Sequence, residues 1–555
     1  MMHAPRRLPA WAWLVPPVLL AALVFTQAVD VLQWDEWTIW GEMLRKLDAG
    51  TFSLPDLAAQ QNEQRNLAAR LFGLLLMPAF QLNRFAEYGL NILLAGTGML
   101  AAVKLYARTG TAPAPPRVWL IFSAFAFSLM QWETFTFGAN SSVAVLPAAL
   151  WCGLLTASGG APTPLRLAAL SLIGVLPSFS FANGLFYWFA LLPVLWDRAL
   201  RHGTLSRTLG LWGVMTVGAW LLYFAHFQSP GHHPSLLSDL AHPLDLVGYF
   251  LAYLGGAVSS DKNLSFLAMA LGLGSLPLLT ALVLADWRAG GTRRANMLPW
   301  LGGALFSLCS AGVTAVARSG FGVEQALESR YASFSTPYWM ALFALAFMAW
   351  RQRRGATPNR FARPFLACTL GVFLLSSVLS AIVVHNRHDN FMRARRALFT
   401  LTDKDALKTL FPDTAYLMMQ LPRLMQKRLS VYRDVPVAGK LEILEGTGGY
   451  FSLDGSGSAA QGRVPGITVR GTRTKNSGPV LLMAGESVVG YLPEPDTQWR
   501  MFLPLANLPG EAARLKAFTG TAQGLLPLAP EQGVPVQRGE LPPVDYDYDR
   551  YFLIQ

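Results

Sequence analysis

Apolar runs of membrane-spanning length recur along the chain from residue 11 to residue 385, separated by short polar loops. A helix rises about 1.5 Å per residue, so crossing roughly 30 Å of hydrocarbon takes about 20 mostly apolar residues. On that measure the pattern predicts spanning helices near 11–29, 85–107, 117–131, 141–157, 166–178, 184–197, 208–226, 264–285, 297–317, 332–350 and 364–385. Two further apolar pieces, 67–82 and 244–258, invert the loop-charge pattern if they cross fully. They are predicted as re-entrant or interface-lying helices, which are tolerated where packed against protein or a cavity. The fold class is therefore mostly α, a polytopic helical membrane protein with about 11–13 membrane segments.

The alternation changes character after about residue 384. Residues 386–431 read as an amphipathic helical connector, basic at first and then apolar on one face over 404–410 and 416–429. From 432 to 555, short β-patterned runs at 466–469, 480–483, 487–491 and 499–503 alternate with Gly and Pro, predicting a C-terminal all-β, sandwich-like domain. Its acidic aromatic end, Asp545-Tyr546-Asp547-Tyr548-Asp549, reads as a surface segment.

Composition agrees with the periodicity. The 555 residues are 52% hydrophobic and only 14% charged, against about 25% charged in soluble domains. The net charge of +12 does not mark a nucleic-acid binder, because the basic residues sit in short loops and form no aromatic-interleaved stripe. Their distribution orients the spans. Loops 104–117, 197–207, 287–294 and 351–363 are Lys/Arg-rich and predicted cytoplasmic. Loops 131–140, 178–183, 226–243 and 318–330 then face outward, as does the β domain. The basic start followed by the 11–29 run reads as a retained first span rather than a cleaved signal, since 27–29 is a poor cleavage site. Cys152, Cys309 and Cys368 lie far apart in apolar stretches and read as buried hydrophobes. His232-His233 lack partner ligands, so no metal site is assigned.

The predicted outer face carries the candidate chemistry. Trp34-Asp35-Glu36-Trp37 opens a first outer loop, 30–66, and residues 36–48 place Trp37, Trp40, Leu44 and Leu47 at helical spacing. Such a helix suits the headgroup region with tryptophans as anchors, holding Asp35 and Glu36 at the membrane surface. A carboxylate there can take a proton from a hydroxyl, and a neighbouring acid raises its affinity for that proton. The same two acids also suit the N-terminus of the helix as caps. Asn62-Glu63-Gln64-Arg65 reads either as a surface ion pair and cap, or as an Arg facing an anionic headgroup. In Glu328-Ser329-Arg330-Tyr331 the Arg offers a planar fork for phosphate oxygens, with Tyr331 as a donor beside it; an interfacial Arg/Tyr belt has the same composition. Glu133 with Asn140, and Ser180-Phe181-Ala182-Asn183-Gly184, add amides, hydroxyls and aromatic faces of the kind that bind sugars.

Through Asp35-Glu36, Asn62-Glu63-Gln64-Arg65, Ser180–Gly184 and Ser329-Arg330-Tyr331, the chain resembles the GT-C superfamily of polyprenyl-phosphate-sugar-dependent membrane glycosyltransferases over residues 10–430. The resemblance implies a GT-C-like domain at 1–385, located in a bacterial inner membrane with its C-terminal domain periplasmic. It implies transfer of a sugar from a polyprenyl-phosphate donor to a glycan, lipid or protein acceptor of the cell envelope, with inversion. It implies catalytic roles for Asp35 first and Glu36 second, either as base or linked to a divalent cation. Arg330, Tyr331 and Arg65 would bind the donor phosphate, and Asn62, Glu63, Glu133, Asn140 and Asn183 would line the substrate pocket. A lipid-linked sugar flippase and a non-catalytic envelope scaffold are the competing readings; the first calls for midplane ionisable residues, which the sequence lacks.

Overall fold

The computed structural model describes residues 9–110, 113–228, 242–352, 362–435, 443–453, 465–474, 477–510, 512–521 and 524–537. The expectations for His232-His233 and for 545–549 fall outside these residues. The chain forms two compact units. The first comprises Met1–Ala28, Ser53–Leu74 and Glu87–His385; the second comprises Val29–Phe52, Leu75–Ala86 and Asn386–Gln555.

Among the described residues, seven helical stretches are long and apolar enough to cross a membrane: Arg84–Thr109, Pro116–Thr136, Gly138–Ala157, Lys262–Ala289, Gly291–Phe321, Ser329–Arg351 and Ala362–Thr400. This is the make-up of a multi-pass membrane protein. Ala12–Gln27, Leu67–Phe80 and Pro164–Ser178 are apolar but shorter. The runs expected at 184–197, 208–226 and 244–258 form the helices Tyr187–Arg201, Leu205–Phe224 and Pro243–Gly255.

The first unit packs by close helix approach around large aromatics. Trp300 lies 5.4 Å from Trp151 and 5.7 Å from Phe122 between ring centroids, and a second cluster joins Trp188 to Trp212 at 4.9 Å. Pro243–Gly255 crosses the 265–289 helix at two glycines. A Cβ on Gly255 would strike the Ala268 carbonyl, and one on Gly272 the Leu251 carbonyl. Small residues at such crossings let helix backbones touch where no water-driven force operates between them.

The second unit gathers three separated pieces of chain. Its helix Asp35–Asp48 carries Asp35 and Glu36 in the first turn and Arg45 and Lys46 in the last, an order that matches the helix dipole. Trp37, Trp40, Met43 and Leu44 are buried. This corrects the expectation that the tryptophans anchor a helix in the headgroup layer: Trp37 donates its indole N–H to the Leu32 carbonyl at 2.9 Å, and Trp40 lies under the Arg84 guanidinium. The helix packs on Thr414–Gln426, where Gly41 leaves room for the Tyr416 hydroxyl and the Gln420 amide. Asp48 bridges to Arg423 Nε at 2.7 Å and to Lys427 Nζ at 2.6 Å. These cations outweigh the effect of burial and hold its carboxyl below the usual aspartate range.

The last apolar helix does not stop at 385 as expected. It continues to Thr400, because no Gly or Pro interrupts 386–400. Lys404–Leu410 and Thr414–Gln426 then follow, each with an Asp N-cap that accepts backbone N–H bonds. Two antiparallel sheets complete the unit. One has the order β1-β2-β5, with β1 Gly449–Leu453, β2 Gly466–Arg473 and β5 Gln498–Pro504. The other joins β4 (Ser487–Leu492), β3 (Val480–Ala484), β6 (Ala512–Gly520) and β7 (Leu525–Pro527), with β8 (Val534–Gln537) also paired to β6. The four predicted strand regions correspond to β2, β3, β4 and β5.

Candidate functional site

In the first unit, several of the sequence segments singled out above are stitched together. Gln61 and Gln64 exchange backbone hydrogen bonds of 2.7 and 2.9 Å around a turn with Asn62 at φ +51°. Asparagine tolerates that left-handed geometry better than most residues. Gln64 Oε1 accepts from the Ala182 amide at 2.7 Å, Asn66 N donates to the Ser180 carbonyl at 3.0 Å, and Ser180 Oγ accepts from Ala68 N at 3.0 Å. The 62–66 turn and the Ser-Phe-Ala-Asn-Gly segment therefore form one structure. Gly184 is required in it, since a Cβ would collide with the Pro177 carbonyl.

Glu63, at the tip of the turn, pairs with Arg318 at the end of Gly291–Arg318; both side chains are partly buried. The Tyr223 hydroxyl donates to the Glu63 carbonyl at 2.5 Å. Arg65 points elsewhere. Its guanidinium donates to the carbonyls of Tyr223, Ala225 and Ala58 and lies over the Tyr223 ring. Those bonds fix the turn, so Arg65 is a structural clamp and not the phosphate ligand expected of it.

A second set of contacts is built on Ser329–Gln352. Glu133 Oε2 accepts from Arg330 N at 3.2 Å, Ser329 Oγ accepts from Glu133 N at 3.0 Å, and Asn140 Nδ2 donates to the Glu133 carbonyl at 2.9 Å. The Arg330 guanidinium lies 5.6 Å from the centroid of the Tyr331 ring. Tyr331 packs at 5.4 Å on Tyr253, whose hydroxyl is 3.5 Å from Asn183 Nδ2. Gln325 links the Tyr249 and Tyr331 hydroxyls. Through these contacts Asn62, Glu63, Glu133, Asn140, Asn183, Arg330 and Tyr331 belong to one continuous polar and aromatic cluster.

Asp35 and Glu36 belong to the second unit. Glu36 has no exposure to solvent, nor does Arg84, with which it pairs at 3.1 Å. Its other oxygen accepts from Gln33 N at 2.8 Å. A carboxylate fully buried and engaged at both oxygens is an anchor, not a proton acceptor for a diffusing hydroxyl, which corrects the catalytic role expected of Glu36. The network extends through Asp30, which accepts from Arg84 N at 2.9 Å and pairs with Arg433 at 2.5 Å. Asp35 is partly exposed at the first helical position. The residue before it, Trp34, sits at φ +44°, ψ −121°, a backbone conformation that costs a non-glycine residue about 1–3 kcal/mol.

Arg84, Arg318, Tyr253 and Asp30 were not assigned from sequence. Arg84 left one signal: a cation in an apolar neighbourhood, at the start of a long helix, needs a buried anion. Among the described residues no three His, Cys, Asp or Glu side chains gather as a metal-ligand set. The chain matches no protein-family model and no curated protein.

Proposed function

We propose that this chain is an integral-membrane glycosyltransferase of the GT-C type. It would move a sugar from a polyprenyl-phosphate donor to a cell-envelope acceptor on the outer side of a bacterial inner membrane. The observation that carries this reading is the joining of four distant segments, 62–66, 133–140, 180–184 and 329–331, into one cluster of the first unit. It places a guanidinium, two carboxylates, amides and tyrosines together on a membrane-type helical scaffold. Sites that take sugars combine apolar faces with a few fixed polar groups in this way.

In this reading Arg330, with Tyr331 beside it, holds the donor phosphate, and Arg318 adds positive charge, partly balanced by Glu63. Glu133 and Asn140 fix the Arg330 backbone, and Asn183, held by the fully buried Tyr253, faces the sugar. The resemblance to the GT-C superfamily, and not a placement beside these residues, assigns the proton of the acceptor hydroxyl to Asp35. The acceptor oxygen bonds to the anomeric carbon as the bond from that carbon to the phosphate oxygen breaks. Polyprenyl phosphate leaves with the electron pair, and the centre is inverted. A divalent cation bound by the donor phosphate is compatible with this scheme.

Purified protein in liposomes, supplied with polyprenyl-phosphate carrying a radiolabelled hexose and an extract of envelope glycolipids, tests the reading. Release of polyprenyl phosphate together with label in the acceptor fraction is expected. Movement of intact donor between leaflets without its cleavage would replace transfer by flipping.

A further inference from the structure

We infer that the first unit holds the phosphodiester of an anionic membrane lipid, seated on Arg117, Arg351 and Arg363 around Trp350. This site stands apart from the cluster read as a sugar transferase and does not depend on that reading. Four helix ends supply it: Arg84–Thr109 and Ser329–Gln352 finish here, and Pro116–Ala126 and Ala362–Thr400 begin here.

The Arg117 guanidinium lies 5.4 Å from the Phe347 ring centroid and 4.7 Å from that of Trp350. Arg363 lies 5.2 Å from the same Trp350 centroid. Arg351, the next residue, makes a long bond of 3.4 Å to the Pro113 carbonyl. Aromatic faces hold guanidiniums in place but accept no N–H bond in the plane of the fork. The Arg117 Nε–H is buried without a hydrogen-bond partner, and so is the Tyr106 hydroxyl, which the charges of Arg351 and Arg117 reach. Guanidiniums only donate. Both buried groups therefore still need an acceptor.

Positive charge at this end also sets topology, and that role is met by arginines that find partners within the protein. Arg201 and Arg293, in loops predicted on the same side, pair with Asp197 and Asp286. Arg108 donates to the Leu155 carbonyl at 2.9 Å. By contrast, loops 104–117 and 351–363 contain no aspartate or glutamate. Among the described residues no carboxylate pairs with Arg117, Arg351 or Arg363.

The unmet groups select the occupant. A phosphodiester oxygen accepts from a guanidinium and a hydroxyl and offsets the gathered positive charge. Water would accept the same bonds and leave that charge unrelieved. Position favours a lipid over a dissolved anion. The cations sit where apolar helices end, at headgroup level, and Trp350, 45% exposed, is placed as an interfacial aromatic.

Native mass spectrometry of the full chain, released from vesicles of phosphatidylcholine and phosphatidylglycerol in equal parts, reads this directly. The wild-type chain is expected to retain phosphatidylglycerol in preference to phosphatidylcholine, and excess inorganic phosphate should not displace it. Arg117→Gln and Arg363→Gln should each lower that retention about five-fold, and the double variant about thirty-fold, with phosphatidylcholine unchanged. Arg201→Gln, which breaks a pair within the protein, should stay within about two-fold of wild type. Arg363 is exposed, so its variant keeps the test decisive where Arg117→Gln fails to fold. The inference is overturned by equal retention of the two lipids, by displacement with inorganic phosphate, by Arg363→Gln within about two-fold of wild type, or by an equal loss in Arg201→Gln.

Discussion

Glu36 and Arg84 form an ion pair in which neither side chain touches solvent, with Oε1 and Nη1 3.1 Å apart. Removing one partner of such a pair leaves a buried charge uncompensated. Glu36→Gln or Arg84→Met should therefore each destabilise the protein by about 3–5 kcal/mol. Replacing both together, as Glu36→Leu with Arg84→Met, should cost much less than the sum of the single changes. Thermal unfolding followed by tryptophan fluorescence checks this, and additive losses would contradict the pairing.

Two arginines that look alike in sequence should behave differently. Arg65 is spent on three backbone carbonyls and a tyrosine face. Arg65→Ala should lower stability by about 2 kcal/mol, with the donor KM of the folded fraction little changed. Arg330→Lys, which keeps the charge but loses the fork, should raise donor KM by about ten-fold with a smaller loss of stability. Steady-state kinetics paired with melting curves on the two variants separates these effects. A raised KM in Arg65→Ala with unchanged melting would return Arg65 to the phosphate site.

The contact between Asp35–Asp48 and Thr414–Gln426 should weaken in acid. Although burial opposes ionisation of Asp48, hydrogen bonds from Lys427 and Arg423 prevail, so its folded pKa lies below the unfolded value. The stabilisation from this group is then complete above the unfolded aspartate range, near about pH 4, and is lost as pH falls through the lower folded value. Asp48→Asn should remove about 1 kcal/mol at neutral pH and flatten this part of the acid limb. Hydrogen exchange of 35–48 in both proteins across that range measures it; equal acid sensitivity in the variant would show that Asp48 is not the group responsible.

Helix periodicity revealed most of the apolar segments, because each span must be apolar along its whole length. It counted shorter helices such as Pro164–Ser178 as spans, and it ended the last one early, since a membrane boundary is a change of composition and a helix can continue through it. The alternating β pattern located β2 to β5; shorter strands such as β7, three residues long, give too little periodicity to stand out. The amphipathic pattern of 36–48 was real, and its partner was misjudged. Trp37 and Trp40 have the spacing of interfacial anchors, and the same spacing serves a face packed on another helix. The candidate residues of the first unit were visible as short polar motifs, yet their pairings were not. Glu63 meets Arg318 across 255 positions, and Glu133 meets Arg330 across 197. The neighbouring acids Asp35 and Glu36 are ranked in that order by resemblance alone, since nothing in the residues themselves separates them and their difference lies in burial.

That difference is also what the account depends on most, and turnover of Asp35→Asn measures it most directly. The substitution removes a proton acceptor while keeping size and helix position. With the variant reconstituted beside wild type and given the labelled polyprenyl-phosphate hexose, transfer should fall by about a hundred- to ten-thousand-fold while melting stays near that of wild type. Transfer by the variant within about two-fold of wild type would contradict the account and take the chemistry away from Asp35.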